Sequence, residues 1–168
     1  MEIGVVGLGK MGSQIAQKLS DSSFTVFGYD QDEELSKNLS RSYEIDNNLS
    51  SLMGRFTSKK IIWLMVPSGD PTNDLIKELS KLMNTGDIII DGGNSYYKDS
   101  INNSKICSQK GISFLDCGTS GGVWGLKNGF CLTIGGSENT YKEVLEIFNT
   151  LSTAETKGGL FVGSSGSG

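Results

Sequence analysis

Gly4-Val5-Val6-Gly7-Leu8-Gly9-Lys10-Met11-Gly12 is an apolar run that breaks into three glycines spaced two and three apart. With Ile3 ahead of it, residues 3–6 read as a short buried strand, and the apolar spacing of residues 10–19 sets a helix directly behind the glycines. The glycines then have separate tasks. Gly7 permits a tight turn, Gly9 lets backbone approach a diphosphate, and Gly12 lets the helix pack closely on the strand. Lys10 and Met11 open the helix, whose first N–H groups and positive dipole end favour phosphate. A glycine turn that holds no nucleotide remains the plainer alternative.

Outward from this unit, short β-branched runs alternate with segments of helical period. Strands are expected at 3–6, 24–29, 61–66, 88–91, 113–116 and 130–134, with a short seventh at 43–45. Helices are expected at 10–19, 33–39, 49–53, 72–83, 96–110 and 139–151. This alternation predicts an α/β fold of the Rossmann-like, doubly wound kind, with a mostly parallel sheet and helices on both faces. One domain over residues 1–168 accommodates it. Leu75, Ile76, Leu79, Leu82 and Met83 form one helical stripe and are expected in the core. The tail Gly163-Ser164-Ser165-Gly166-Ser167-Gly168 has the composition of a linker.

In such a sheet, ligands bind beyond the carboxyl ends of the strands. Four glycine-containing loops fall there, at 7–12, 66–69, 92–95 and 117–122. The second strand ends in Asp30, 18 residues after Gly12, where a carboxylate accepts from adenosine ribose hydroxyls. Asp32, Glu33 and Glu34 follow with no arginine close behind, which favours NAD over NADP because a 2′-phosphate would meet like charge. Asp30 as a helix cap is the structural alternative. In Asp91-Gly92-Gly93-Asn94-Ser95, Ser95 is expected to cap a helix starting at Tyr96, and Asn94 either reaches a substrate or shares in the capping. Ser120, Gly121 and Gly122 form a candidate anion-binding loop or a merely flexible one. Trp124 walls a pocket or fills an interface.

Composition removes several classes of function. The 15 basic and 19 acidic residues include no basic block, so a nucleic-acid partner is not expected. The three cysteines lack zinc-site spacing and their odd number argues against a disulfide framework; reduced thiols in a cytoplasmic protein are expected. The chain has no histidine, which removes histidine bases and the commonest metal ligand, and no metal site is expected. No stretch approaches the roughly 20 apolar residues of a membrane span. The 23 glycines, about twice the usual share, cluster after apolar runs.

Ile90-Asp91-Gly92-Gly93-Asn94-Ser95, followed by Gly118-Thr119-Ser120-Gly121-Gly122-Val123-Trp124-Gly125, resembles the decarboxylating 6-phosphogluconate dehydrogenases over essentially the whole chain. The Gly-Val-Trp-Gly stretch and Asp30 are similar to the shorter, NAD-type branch. By that resemblance Asn94, Ser120, Gly121 and Gly122 contact 6-phosphogluconate. Gly7, Leu8, Gly9, Lys10, Met11, Gly12, Asp30, Val66, Pro67 and Asn94 contact NAD. In the family a lysine takes the proton of the substrate's 3-hydroxyl, hydride passes to the nicotinamide, carbon dioxide leaves the 3-keto acid, and a glutamate protonates the enediol. The glycine-serine tail resembles the segment just before the lysine-bearing helix. The base, the acid and an all-helical substrate and dimerisation domain are therefore expected to be missing here, leaving a fragment inactive alone from an enzyme that works as a homo-oligomer. Lys127 is expected to be a solvated surface residue rather than a substitute base. Two other readings stand beside this one: a related hydroxyisobutyrate-type dehydrogenase, which usually carries Ser-Thr where this chain has Asn94-Ser95, and a non-catalytic NAD-binding redox sensor.

Overall fold

Strands buried on both faces need continuous apolar runs, and Ile61-Ile62-Trp63-Leu64 and Ile88-Ile89-Ile90 supply them. The computed structural model describes residues 1–34 and 43–168, apart from the side chain of Val123. Among these, the order is β1 (Glu2–Val6), α1 (Lys10–Ser20), β2 (Thr25–Tyr29), β3 (Glu44–Asp46), α2 (Leu49–Arg55), β4 (Ile61–Leu64), α3 (Asp70–Leu82), β5 (Ile88–Asp91), α4 (Tyr97–Ser108) and β6 (Ser113–Ser120). A 3₁₀ turn (Gly122–Trp124), α5 (Gly125–Asn128), β7 (Cys131–Gly136), α6 (Glu138–Glu143), α7 (Leu145–Leu151) and β8 (Leu160–Gly163) follow. The described strands form one sheet in the order β3-β2-β1-β4-β5-β6-β7-β8, parallel except where β7 pairs antiparallel with β6.

Alternation along each strand divides the core into two layers. Ile61 and Trp63 pack with Ile15, Ala16 and Leu19 of α1 and with Ile147, Phe148 and Leu151 of α7. Ile62 and Leu64 pack with Leu52 of α2, Ile76 and Leu79 of α3 and Cys107 of α4. Each fully buried Ile or Leu contributes roughly 1.5–3 kcal/mol, so these layers hold the sheet's edge in place for the loops above it. The α/β, doubly wound expectation is met.

After β1 the chain moves to β2 and β3, then returns to the other side of β1 to start β4, and such a reversal opens a crevice above the sheet. The link from β6 to β7 spans only residues 121–130, too short for a helical crossover between parallel strands, and an antiparallel pair results. Cys117 to Ser120 are laddered to Ile134 to Cys131. Most of the loop expected at 117–122 is therefore strand.

The sheet also has a strand beyond the six or seven expected. Leu160–Gly163 forms β8 against β7, an apolar run overshadowed by the glycine-serine residues behind it. Nor is that tail slack. The Asp116 carboxylate accepts from the N–H of Gly166 at 2.8 Å and of Gly168 at 2.7 Å, and the Ser165 hydroxyl donates to that of Ser104 at 3.0 Å. The helix expected at 139–151 comes as two, bent at Val144, where φ is −106° and ψ is 17°. The helix expected at 33–39 lies mostly outside the described residues.

Candidate functional site

The carboxyl ends of β1, β2, β4, β5 and β6 enclose an open groove of about 970 Å³. At its centre is the turn from β1 into α1. Gly7 has φ +91°, and an added Cβ would lie 2.4 Å from the Met65 carbonyl oxygen, so the turn requires glycine. At Gly12 a Cβ would sit 1.8 Å from the Gly7 carbonyl oxygen, so here α1 packs directly on the turn. Gly9 differs from both. Its φ of −59° and ψ of −168° are open to other residues, and a Cβ would meet nothing within 4 Å. The free space beside Gly9 is a cradle that a side chain would fill. Helix α1 has no side-chain cap and no acidic residue in its first turn, so its first N–H groups are available to an anion. These features fit a dinucleotide diphosphate.

Asp30 stands at the β2 end of the groove. One carboxylate oxygen accepts from the Leu8 N–H at 2.6 Å and the other from the Asp32 N–H at 2.8 Å. The residue thus fixes the glycine turn and the start of the segment after β2, while its exposed side is left toward the groove. Glu78 and Asp74 of α3 line the groove as well. Burial, reinforced by the charges of Glu78 and Asp30, raises the phenol of Tyr29 above its ordinary value.

The other end is built on β5 and β6. Asp91 closes β5 at 1% exposure; its carboxylate accepts from the Gly93 N–H at 3.1 Å and from the Ser95 hydroxyl at 2.7 Å. Burial raises its pKa, these hydrogen bonds oppose the rise, and Asp116, its partner in register on β6, adds to it. Ser95 therefore does not cap the next helix, whose N-cap is Tyr96 without a side-chain hydrogen bond. Asn94 is exposed and lines the groove.

Of the sequence-predicted cofactor contacts, the groove brings together Gly7, Gly9, Lys10, Met11, Gly12, Asp30, Val66, Pro67 and Asn94. Leu8 is not among them: its side chain is fully buried in the core and its N–H is taken by Asp30. Of the substrate loop, Gly118 and Thr119 line the groove, whereas Ser120, Gly121 and Gly122 are exposed at and beyond the end of β6. Trp124 is 66% exposed and is absent from the groove wall, and Lys127 is exposed as expected. Sequence reasoning missed the contribution of α3. Pro71, Asp74, Leu75 and Glu78 line the groove from its first turns, and Leu75, read as core, is only partly buried. The stripe carried the signal, since Leu75 sits at its margin beside Asp74 and Glu78.

A family model described as the NAD binding domain of 6-phosphogluconate dehydrogenase matches residues 2–160. The NAD(+)-dependent, decarboxylating 6-phosphogluconate dehydrogenase of Haloferax volcanii is 34% identical, over 100% of this chain and 55% of its own length. Among solved structures, Plasmodium falciparum 6-phosphogluconate dehydrogenase, described in complex with its cofactor NADP+ and its substrate 6-phosphogluconate, is similar with a TM-score of 0.90. It is 27% identical, with 100% of this chain and 38% of that one covered. Mycobacterium tuberculosis 3-hydroxyisobutyrate dehydrogenase shares the fold at TM-score 0.88 and 19% identity, covering 99% of this chain and 56% of that one. The chain spans between 37% and 56% of the length of curated relatives it matches.

Proposed function

The chain belongs to the family of the NAD-binding domain of 6-phosphogluconate dehydrogenase, and from that premise we propose that its groove binds NAD for the oxidative decarboxylation of 6-phosphogluconate to ribulose 5-phosphate. The observation that carries this reading is the open space beside Gly9 at the uncapped start of α1, within a groove that runs from Asp30 to Asn94. Gly9 to Gly12 hold the diphosphate, Asp30 accepts from the adenosine ribose, and Val66 and Pro67 flank the path toward Asn94 and Thr119. Asp30, Asp74 and Glu78 make that ribose end acidic, which supports NAD over NADP.

When bound, NAD supplies the hydride acceptor. The chain's own residues orient what reacts with it: Asn94 can donate to and accept from a substrate hydroxyl or carboxylate, and Ser120, Gly121 and Gly122 offer a hydroxyl and backbone N–H groups at the outer rim. Among the described residues, Lys10 is the lysine of the groove wall, and it opens α1 at the diphosphate end. Because the chain spans about half the length of its curated relatives, we assign the family's lysine base, its glutamate acid and the oligomer contacts to the remainder of a cytoplasmic enzyme and read these residues as its nucleotide-binding unit.

Calorimetric titration with NAD, NADH and NADP tests the binding half of the reading; no heat with NAD or NADH at millimolar concentration removes it. Reduction of NAD by the intact enzyme, with 6-phosphogluconate and 3-hydroxyisobutyrate compared as substrates, tests the other half. Asn94-Ser95 supports the former substrate, and turnover of hydroxyisobutyrate alone reassigns the chain.

A further inference from the structure

Asp91 and Ser95 each break a local rule. A carboxylate at the end of a central strand is costly to bury, and any apolar residue would suit β5 as well. Ser95, close to a helix start, leaves that helix without a side-chain cap. Both side chains are spent on each other, through the 2.7 Å hydrogen bond that closes the loop at residues 92–95. Departures of this kind gather at functional sites.

We propose that Asp91 and Ser95 are positioning residues, forming a clasp that holds residues 92–95 in the one arrangement that presents Asn94 to the nicotinamide end of the groove. The inference rests on the nucleotide-binding reading and deepens it. The loop is confined on its other sides too. A Cβ on Gly92 would lie 2.4 Å from the Trp63 indole nitrogen, and one on Gly93 3.0 Å from the Val66 carbonyl oxygen. The clasp supplies the remaining restraint, because the Asp91 carboxylate binds the Gly93 N–H with one oxygen and the Ser95 hydroxyl with the other, on either side of Asn94. Among the described residues Asn94 has no side-chain hydrogen bond of its own, so its placement depends on its neighbours. Along the groove, Asp30 marks the ribose end and Gly9 the diphosphate, which leaves Asn94 and Thr119 facing the nicotinamide. Displacement by about 1 Å suffices to break a productive contact there.

The test separates the two halves of the ligand. NAD and ADP-ribose, which lacks the nicotinamide, are titrated calorimetrically into the chain and its S95A, D91N and N94A variants. S95A and N94A are expected to lose roughly ten-fold in NAD affinity, the scale of one polar contact. Both are expected to keep ADP-ribose affinity within about two-fold, a selectivity that general loosening of the fold would not produce. D91N retains the geometry, since its oxygen can accept from Gly93 and its amide can donate to the Ser95 oxygen, so NAD affinity stays within about three-fold. Equal losses for both ligands in S95A, or NAD binding by S95A or N94A at the level of the unsubstituted chain, overturn the clasp. If the unsubstituted chain binds neither ligand, the nucleotide-binding reading fails first and the clasp with it.

Discussion

Substituting alanine at Gly9 and at Gly12 separates the ligand's requirement from the fold's. At Gly9 the new methyl meets nothing within 4 Å, and the backbone, at φ −59° and ψ −168°, accepts it. The unfolded-chain gain of Gly→Ala, about 0.4–1 kcal/mol, is offset here by the poorer fit of alanine at the N-cap of α1, a cost of about the same size. In a domain of this size the net change leaves Tm within roughly 4 °C of the parent. At Gly12 the methyl would lie 1.8 Å from the Gly7 carbonyl oxygen and 2.9 Å from the Gly7 carbonyl carbon. Relief requires α1 to move off the turn, an overpacking cost of about 3 kcal/mol or more. The corresponding fall in Tm is roughly 6–12 °C. NAD affinity shows the contrast from the other side. G9A fills the cradle and loses at least about ten-fold in affinity while melting within a few degrees of the parent, well above G12A. Thermal melts and NAD titrations on both variants decide the matter. A G9A chain that binds NAD normally, or that melts as early as G12A, refutes the argument.

Three further outcomes are expected. Asp30→Ala removes the acceptor for the Leu8 N–H and for the ribose, lowering NAD affinity roughly ten-fold but NADP affinity less; an unchanged NAD:NADP ratio of Kd values would take Asp30 out of the ribose site. Burial pushes the thiols of Cys107 and Cys117 up to about 12, whereas Cys131 is exposed, so iodoacetamide at about pH 8 should give a single adduct by mass spectrometry in the folded chain and three after unfolding. Because the folded pKa of Asp91 lies above its ordinary 3.8, the folded state binds more protons than the unfolded one between those two values. The Asp91 contribution to stability is therefore present at low pH and lost as pH rises through that window. The Tm of D91N relative to the parent should climb across the window, and a flat difference would contradict the burial argument.

The sheet was legible because its strands are buried on both faces and announce themselves as apolar runs, and the glycine turn because Gly7 and Gly12 answer to backbone sterics that any chain must obey. Less legible were features set by tertiary pairing. Ser95 looks like a cap from its neighbours alone, and only the return of the Asp91 carboxylate toward it reveals another partner. Residues 117–120 look like loop because they carry Gly118 between small polar residues, yet pairing with β7 makes them strand. Leu8 matches the cofactor motif by position, but motif membership says nothing of which way a side chain turns, and this one turns into the core. The tail reads as linker by composition, and two hydrogen bonds to a distant aspartate give it shape.

Parity governs the far wall of the groove. Thr119 stands opposite Leu132, and Gly118 and Ser120 stand opposite Thr133 and Cys131, so successive positions there face alternate ways. Removing one residue ahead of Thr119 would exchange the two sets, putting the hydroxyl of Ser120 where that of Thr119 stands; removing two would restore the facing. Change in this wall should thus be tolerated in even steps and punished in odd ones, a discreteness that a flexible loop would never impose.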